Sequence, residues 1–184
     1  GKPSPFHAVE IGSGNGLLAH DIWLYTSHLP RAFADSLQYT AIDKFPQRTS
    51  DHEVQTAISQ IGSSESPPMN IQGCVLSNEL IDSFPVHRFQ IESSLVKEVF
   101  VTLVNGRLRE KLDDPSTPLI KQRLHSLTEP IPAGFSGEVN LQIGHWIGQV
   151  SNILRKGFVL TIDYGYEAKD LYSTKRMGGT LKTH

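Results

Sequence analysis

The first residues whose types and spacing suggest chemistry are those of Glu10–Gly16, which read Glu-Ile-Gly-Ser-Gly-Asn-Gly. Three glycines at alternate positions remove side chains from a turn, so the backbone can bend sharply and approach a ligand closely. A helix pattern begins directly after the turn, and the first N–H groups of a helix favour a carboxylate or a phosphate. The segment therefore predicts a binding loop, with a plain tight turn as the alternative, since a glycine motif alone is weak evidence.

Two cofactor classes compete for this loop. The run Gly14–Ala19 fits the G-x-G-x-x-A fingerprint of an NAD-type oxidoreductase, but that fingerprint expects an acidic residue about 20 positions on, and Asp43 follows Gly14 by 29 positions. Glu10, two residues before the first glycine, fits better the first motif of class I methyltransferases, which bind S-adenosylmethionine (SAM). The loop would then hold the methionine end of SAM. The predicted cofactor-binding residues of this segment are Glu10, Gly12, Ser13, Gly14, Asn15 and Gly16.

Two further polar positions follow predicted strands. Asp43 closes the strand Leu37–Ile42, and a carboxylate there can accept hydrogen bonds from both hydroxyls of a ribose. Without the glycine loop, an aspartate after a strand is more often a turn former. Asn78 follows the buried strand Gly73–Leu76 and can contact SAM through its amide. Both positions suit ligand binding because ligands of open α/β sheets lie beyond the carboxyl ends of the strands.

The longest distinctive run is Asn78–Phe89, which reads Asn-Glu-Leu-Ile-Asp-Ser-Phe-Pro-Val-His-Arg-Phe. Together with Glu10–Gly16, Gly157–Gly165, and Gly179-Thr180-Leu181 with His184, it resembles the MidA-like proteins, whose relatives include a mitochondrial arginine methyltransferase that assists complex I assembly. The resemblance touches nearly the whole chain. It implies a SAM-dependent methyltransferase of class I, with a Rossmann-like α/β fold and a largely parallel sheet of seven strands. It also implies methyl transfer to an arginine of a partner protein.

The resemblance implies a wider context as well. Its partner would be a protein substrate such as a subunit of respiratory complex I. The location would be the cytoplasm in a bacterium and the mitochondrial matrix in a eukaryote. Family members are longer, so we expect this chain, which starts with Gly1, to be part of a longer protein. The segment between Asp43 and Glu53 departs from the family pattern, because it is too short for the helix expected there.

The candidate catalytic residues lie in the same distinctive run. Methylation of arginine needs a group that grips a planar guanidinium, and the two oxygens of a carboxylate can do so. Glu79 is the first candidate, with Asp82 or Glu138 as a second carboxylate, although Glu79 and Asp82 can also cap a helix. His87 is a candidate proton acceptor, while a lone histidine is more often structural. A protein that keeps the fold as a non-catalytic assembly module is the remaining alternative.

Composition excludes several other classes of protein. Lys and Arg number 17 against 19 Asp and Glu, so the chain lacks the basic footprint of a nucleic-acid binder. No apolar run approaches the roughly 20 residues that span a bilayer. Cys74 is the single cysteine, which excludes intrachain disulfides, and the eight histidines show no metal-ligand spacing. The sequence therefore predicts no metal, no nucleic acid and no membrane span, and it indicates no oligomeric state.

The elements that must position these residues follow from periodicity. Strand Phe6–Ile11, the glycine turn and a helix with Leu18, Ile22 and Tyr25 on one face open an α/β unit. Asn105-Gly106 predicts a two-residue hairpin between strands. The remaining expectations are a strand at Glu53–Ile58, a helix at Leu119–Leu127, a helix at Leu141–Arg155 capped by Gly157, and a buried strand at Phe158–Ile162. We predict one domain over residues 1–184, with 89–112 as a hairpin insertion that faces the substrate.

Overall fold

The computed structural model of this protein describes residues 4–44, 58–62, 67–128 and 130–181. They divide into two compact units. The first contains the residues up to Ser83 together with His145–Tyr164, and the second contains Phe84–Gly144 together with the residues from Gly165 onward. The hairpin lobe at 89–112 falls in the second unit. Its assignment as an insertion in a single domain stays a prediction.

Across the residues that the structure describes, the secondary structure comprises nine strands and five helices, with two short 3₁₀ turns at Thr26–His28 and Thr174–Arg176. The strands are β1 Phe6–Ile11, β2 Leu37–Asp43, β3 Ile58–Gly62, β4 Ile71–Asn78, β5 His87–Glu92, β6 Leu95–Val104, β7 Arg107–Asp113, β8 Ser136–Val139 and β9 Leu154–Ile162. The helices are α1 Leu17–Tyr25, α2 Arg31–Ala34, α3 Pro118–His125, α4 Gln142–Ile153 and α5 Ala168–Leu171. Every helix of the described ranges is too short or too polar to cross a bilayer.

The first unit is built on a parallel sheet with the strand order β3-β2-β1-β4-β9. All four neighbouring pairs run parallel, so the carboxyl ends of β2, β1, β4 and β9 lie side by side at one edge. The expected α/β class with a parallel sheet is confirmed. Within the described residues this sheet has five strands, compared with the seven that the family resemblance implies.

Helix α1 packs on this sheet through a stripe that differs slightly from the predicted one. Ala19 is fully buried among Ala8, Tyr39 and Ala41, and Ile22 packs beside it. The third predicted member of the stripe, at the last residue of α1, is largely exposed instead. The buried face of α1 therefore includes Ala19 and the partly buried Ile22 and does not extend to Tyr25 at the end of the helix.

Only Ile58, the last residue of the strand predicted at Glu53–Ile58, lies among the described residues, and it belongs to a strand. Strand β3 begins at Ile58 and continues to Gly62, which pairs with Asp43 at the end of β2. The residues before Ile58, together with the polar segment after Lys44, lie outside the described residues.

The predicted helix end around Gly157 is wrong. Helix α4 ends at Ile153, and Gly157 lies within β9, opposite Gly73 of β4. A side chain at Gly157, which has a φ of 147°, would collide with the carbonyl oxygen of Gly73. The glycine therefore permits two strands to approach each other closely, a role that the sequence does not distinguish from a helix cap.

The predicted burial of the strand at Phe158–Ile162 is also wrong. This strand is β9, which stands at the end of the described sheet and is flanked there by β4 alone. Phe158 is 77% exposed, and Leu160 and Ile162 are exposed as well. An apolar run of this length predicts a fully buried strand, but burial depends on neighbouring elements that hydrophobic periodicity alone does not identify.

The second unit contains an antiparallel sheet with the order β7-β6-β5-β8. The predicted hairpin is confirmed: Asn105 and Gly106 have φ values of 51° and 73°, as a two-residue turn of this kind requires. Strand β5 includes Phe89–Ile91, and the helix predicted at Leu119–Leu127 is confirmed as α3. The hydrophobic core of the second unit consists of Phe89, Ile91, Ile120, Leu124, Phe135 and Val139.

Candidate cofactor and active site

The turn after β1 depends on its glycines for backbone conformation. Gly12, Gly14 and Gly16 have φ values of 80°, 53° and 76°, in the left-handed region that L-residues with side chains rarely adopt. A Cβ atom at Gly12 would lie 2.8 Å from Cδ1 of Leu80, so a side chain at this position would force the Leu80 side chain to shift. A Cβ at Gly14 would meet nothing within 4 Å. The turn thus has one tightly packed glycine and one that faces open space.

The start of α1 fits the methionine end of SAM. Gly16 is the N-cap residue and has no side chain to bond the first turn, while Asn15 accepts a hydrogen bond from the Leu17 N–H through Oδ1 at 3.1 Å. Helix N-termini attract negative charge because their N–H groups and dipole both favour it. The carboxylate of an amino acid is a suitable ligand for such a helix start, so the residues present fit this cofactor.

Asp43 is joined directly to the glycine turn. Its Oδ2 accepts a hydrogen bond from the Gly14 N–H at 2.8 Å. The Ile42 carbonyl also accepts from the N–H groups of Gly12 and Ser13, at 2.8 and 3.1 Å. The ends of β1 and β2 are therefore held together, and two segments predicted to bind one cofactor are adjacent. The ribose contact of Asp43 itself stays a prediction.

Glu10 lies beneath the turn. Its carboxylate is buried, and Oε2 accepts a hydrogen bond from the Tyr39 hydroxyl at 2.9 Å. Burial raises the pKa of Glu10 above its ordinary value; the Tyr39 hydrogen bond offsets part of this rise, and the charge of Asp43 adds to it. Burial and the neighbouring Glu10 likewise raise the pKa of Tyr39, which stays a donor. Glu10 thus supports the turn from below, and its direct contact with a cofactor stays a prediction.

Replacing Glu10 by glutamine is expected to raise the free energy of unfolding at about pH 7. Because the carboxyl has a higher pKa in the folded protein, the folded state loses stability as the pH rises from 4.5, the ordinary value, through the raised one. Glutamine carries no charge, so the advantage of the variant should shrink as the pH falls toward 4.5. Denaturant unfolding of the parent protein and the variant at about pH 7 and at pH 4.5 measures this difference in stability. An advantage that grows on acidification would contradict the assigned shift.

The matched change on the other side of this hydrogen bond is Tyr39→Phe. It leaves a buried carboxylate without its donor and is expected to cost about 1.5–3 kcal/mol, as for hydrogen bonds to charged groups. Tyr25→Phe, at an exposed hydroxyl, serves as the control and should change stability by less than about 0.5 kcal/mol. Equal stabilities of the two variants would show that Tyr39 does not support Glu10.

The segment after β4 carries the candidate catalytic carboxylates. Asn78 is exposed at the last position of β4, and Glu79 is exposed directly after it. Glu79 has a φ of 47°, and its N–H donates to the Ile162 carbonyl at 2.8 Å. A residue other than glycine in this conformation costs of order 1–3 kcal/mol, and such residues are concentrated at active sites and ligand clamps. The backbone of this segment is therefore fixed in a costly conformation.

Asp163 anchors this segment, a role that sequence reasoning did not assign to it. Its Oδ2 accepts hydrogen bonds from the N–H groups of Ile81 and Asp82 at 2.8 and 3.3 Å. Its Oδ1 accepts from the Tyr164 N–H at 2.8 Å. The sequence offered one signal for Asp163: the residue directly follows a predicted strand, within the segment Gly157–Gly165 that matches the family pattern. Leu80 and Tyr39 were missed because only the folded chain shows what they touch.

In the first unit, the structure therefore brings together the glycine turn, Asp43, Asn78 and Glu79 at the carboxyl edge of one sheet. Strands β1, β2 and β4 are neighbours in that sheet. Leu80 packs against Gly12 of the turn, and it belongs to Glu79–Asp82, the segment with the candidate catalytic carboxylates. Asp82 belongs to the same segment and has an exposed side chain. Among the described residues, no three His, Cys, Asp or Glu side chains are grouped so as to hold a metal ion.

His87 belongs to the second unit, where a buried carboxylate holds it. Its Nδ1 lies 2.7 Å from Oε1 of Glu98, and Oε2 of Glu98 accepts from the Ser116 N–H at 2.6 Å. Burial raises the pKa of Glu98, but the hydrogen bonds from Ser116 and His87 outweigh it, so this pKa lies below its ordinary value. An ionised Glu98 accepts the Nδ1 proton of His87, which fixes the ring and leaves Nε2 for another partner.

Glu138, the other candidate second carboxylate, also lies in the second unit. Its Oε2 accepts hydrogen bonds from the N–H of Thr180 at 2.9 Å and from its hydroxyl at 3.2 Å. A side chain at Gly179 would collide with the same carboxylate. Glu138 therefore holds the turn at Gly179-Thr180, one of the segments that match the family pattern, and its role as part of a guanidinium clamp stays a prediction.

Comparisons with known proteins identify relatives of the chain. Residues 1–184 match the family described as "Putative S-adenosyl-L-methionine-dependent methyltransferase". The chain is also 24% identical over 199 residues to the "Protein arginine methyltransferase NDUFAF7 homolog, mitochondrial" of Drosophila melanogaster. That alignment covers 90% of this chain and 44% of the Drosophila protein.

Two solved structures from Burkholderia thailandensis share the fold. One is described as "a COG1565 superfamily member and likely methyl transferase" bound to S-adenosyl-homocysteine, and it matches with a TM-score of 0.74 and 18% identity. The other, a native structure of a COG1565 superfamily protein, matches with a TM-score of 0.76 and 19% identity. Each match covers 95% of this chain, but only 46% and 47% of the solved chains. The chain thus spans less than half the length of these relatives.

Proposed function

Because the chain belongs to the family of S-adenosyl-L-methionine-dependent methyltransferases, we propose that it transfers a methyl group from SAM to an arginine side chain of a partner protein. The observation that carries the proposal is the packing of Leu80 against Gly12. Since Glu79 directly precedes Leu80 in the chain, this contact supports a position for Glu79 near the turn that fits the methionine end of the cofactor. A guanidinium held by Glu79 would therefore lie close to the reactive end of the donor.

The chemistry assigns a defined task to each group. When bound, SAM supplies a methyl group on a positively charged sulfur. The bond between this sulfur and the methyl group breaks during transfer, and the sulfur becomes a neutral thioether. The glycine turn and the start of α1 hold the amino-acid end, and Asp43 binds the ribose hydroxyls. Glu79 binds the guanidinium and orients the nitrogen that attacks, so that much of the rate enhancement comes from positioning. Asn78 contributes an amide contact to the cofactor.

The attacking nitrogen must also lose a proton. A carboxylate beside the guanidinium stabilises the cation, and Asp82 is the second carboxylate of the same anchored segment. His87, oriented by Glu98 through Nδ1 at 2.7 Å, is our candidate proton acceptor through Nε2. Asp163 acts as a positioning residue, because it holds the backbone that carries Glu79 and Asp82 rather than touching the reacting atoms.

The partner and the location are also part of the proposal. The Drosophila relative is described as a mitochondrial protein arginine methyltransferase. We therefore propose the mitochondrial matrix as the location of a eukaryotic protein with this chain, and the cytoplasm for a bacterial one. A subunit of respiratory complex I as the substrate rests instead on the resemblance of the sequence to the MidA-like proteins.

The test uses the full-length protein with methyl-labelled SAM. The candidate partner is incubated with both, digested and sequenced by mass spectrometry. We expect the label on an arginine of the partner, and we expect Glu79→Gln to remove it while a Glu167→Gln control, at an exposed glutamate just before α5, keeps it. Label on lysine or on a small molecule would contradict arginine transfer, and unchanged labelling by Glu79→Gln would contradict the assigned role.

A further inference from the structure

The β6–β7 hairpin extends beyond the sheet from which it begins. Strand β5 pairs only with the first part of β6, up to Glu98, whereas β6 pairs with β7 along the whole stretch from Glu98 to the turn. Residues 99–104 and 107–112 therefore form a two-stranded ribbon. An isolated ribbon of two strands is only marginally stable in water. A further surface that packs against this ribbon would therefore stabilise it.

The two faces of the ribbon differ in character. Opposed residues share a face, so the pairs Leu103–Leu108 and Val101–Glu110 lie on one side. Leu103, Leu108 and Val101 are 67%, 74% and 64% exposed. Glu110, the acidic residue on this apolar face, forms an ion pair with Arg88 of β5.

The opposite face is basic. Its cross-strand pairs are Val104–Arg107, Thr102–Arg109 and Phe100–Lys111. Three cations thus alternate with the residues of the apolar face along β7. Lys111 forms an ion pair with Asp113 at 2.6 Å, and no acidic side chain among the described residues forms an ion pair with Arg107 or Arg109.

Strand β7 also presents unpaired backbone groups. It is the outermost strand of its sheet, so no strand of the described ranges pairs with its outer edge. The two-residue turn makes Val104 and Arg107 a hydrogen-bonded pair, and such pairs alternate along an antiparallel ladder. The N–H and C=O groups of Leu108, Glu110 and Leu112 therefore point away from β6, toward the open edge.

We propose that this edge docks an extended segment of a partner protein in which acidic and apolar residues alternate. Added as a further strand, such a segment bonds to the outward backbone groups of β7, a known mode of peptide recognition. Its acidic side chains then lie on the face of Arg107 and Arg109, and its apolar side chains extend the face of Leu103 and Leu108. We take this segment to belong to the methylated protein, a step that rests on the proposed function.

A second copy of the chain is a poor occupant of the same edge. In the symmetric antiparallel register centred on Glu110, that residue would oppose itself and Arg109 would oppose Lys111 of the other copy. Like charges directly opposite each other destabilise a strand pair. Charged residues commonly protect sheet edges from self-association in this way, but protection alone does not account for the apolar face beside them.

The test measures peptide binding by the full-length protein without SAM. The probe is a labelled peptide of alternating glutamate and valine that contains no arginine, and its counterpart alternates lysine and valine. We expect the acidic probe to bind. The double variant Arg107→Glu/Arg109→Glu should weaken that binding at least tenfold and should bind the lysine probe instead. A reversed preference of this kind cannot result from unfolding. The control Arg31→Glu/Lys169→Glu changes the net charge equally at exposed positions elsewhere and should bind as the parent protein does.

Hydrogen exchange supplies the second readout. In the free full-length protein, the amides of Leu108, Glu110 and Leu112 should exchange rapidly, and the acidic probe should slow them. If these amides are already protected without the probe, another segment or copy covers the edge and the proposal is wrong. Failure of both probes to bind also overturns it. Since the probes contain no arginine, loss of docking with intact methylation refutes only the docking edge, and intact docking without methylation refutes only the proposed function.

Discussion

Replacing Gly12 by valine is expected to reduce SAM affinity at least about 100-fold, close to 3 kcal/mol. Gly12 has a φ of 80°, a conformation that is strained for a β-branched residue. The Cβ of the valine would also lie 2.8 Å from Leu80 Cδ1, so the Leu80 side chain must move as well. Calorimetric titration of the full-length variant with SAM measures the effect.

Two matched glycine variants separate the causes of this loss. Gly14→Ala tests backbone conformation alone, since its Cβ would enter open space while its φ of 53° stays unfavourable. We expect it to weaken SAM binding about tenfold, from 1–2 kcal/mol of backbone strain. Gly148→Ala, in helix α4 with no atom within 4 Å of its Cβ, should bind SAM normally. A Gly12→Val protein that binds SAM as well as the Gly148→Ala control would refute the role of the turn.

Replacing Glu79 by glutamine is expected to lower kcat for methyl transfer by roughly 10²–10³, the range seen when one preorganised charge-stabilising group is removed. Glutamine keeps the shape but loses the negative charge that binds a guanidinium. The SAM dissociation constant should change little, because Glu79 is assigned to the arginine and not to the cofactor. Steady-state rates with the partner protein and calorimetry with SAM together distinguish the two effects.

A second substitution at this position tests whether its conformation is retained for function. Glu79→Gly removes a side chain from a backbone with a φ of 47°, so it should stabilise the fold by about 1 kcal/mol while methyl transfer is lost. Unfolding by denaturant measures the first effect and the transfer rate the second. A variant that keeps activity would remove Glu79 from the mechanism, and one that loses stability would show that its side chain serves the fold.

The sequence predicted best the elements that local chemistry determines. The strand before the glycine turn, the strand closed by Asp43 and the Asn105-Gly106 hairpin all have signals within a few residues of themselves. Predictions failed where long-range pairing decides. Gly157 follows the basic residues Arg155 and Lys156, a pattern that predicts the C-terminal cap of a helix. In the structure it instead permits the close approach of β9 to Gly73. The exposure of β9 likewise depends on its place in the sheet.

The candidate site shows the same division. Strand ends located Gly12, Asp43 and Asn78, because parallel strands bring their carboxyl ends to one edge. The supporting contacts were not predictable, since Tyr39 meets Glu10 only through the register of β1 and β2. They depend on which side chains the folded loops bring into contact, and no spacing in the chain encodes that.

The most direct test of this account is a crystal structure of the full-length protein with S-adenosyl-homocysteine. We expect the amino-acid end of the ligand against the backbone of Gly12–Gly16, its ribose beside Asp43, and its sulfur directed toward Glu79. Ligand density away from the carboxyl edge of the parallel sheet, or a turn whose backbone blocks that position, would contradict the central claim.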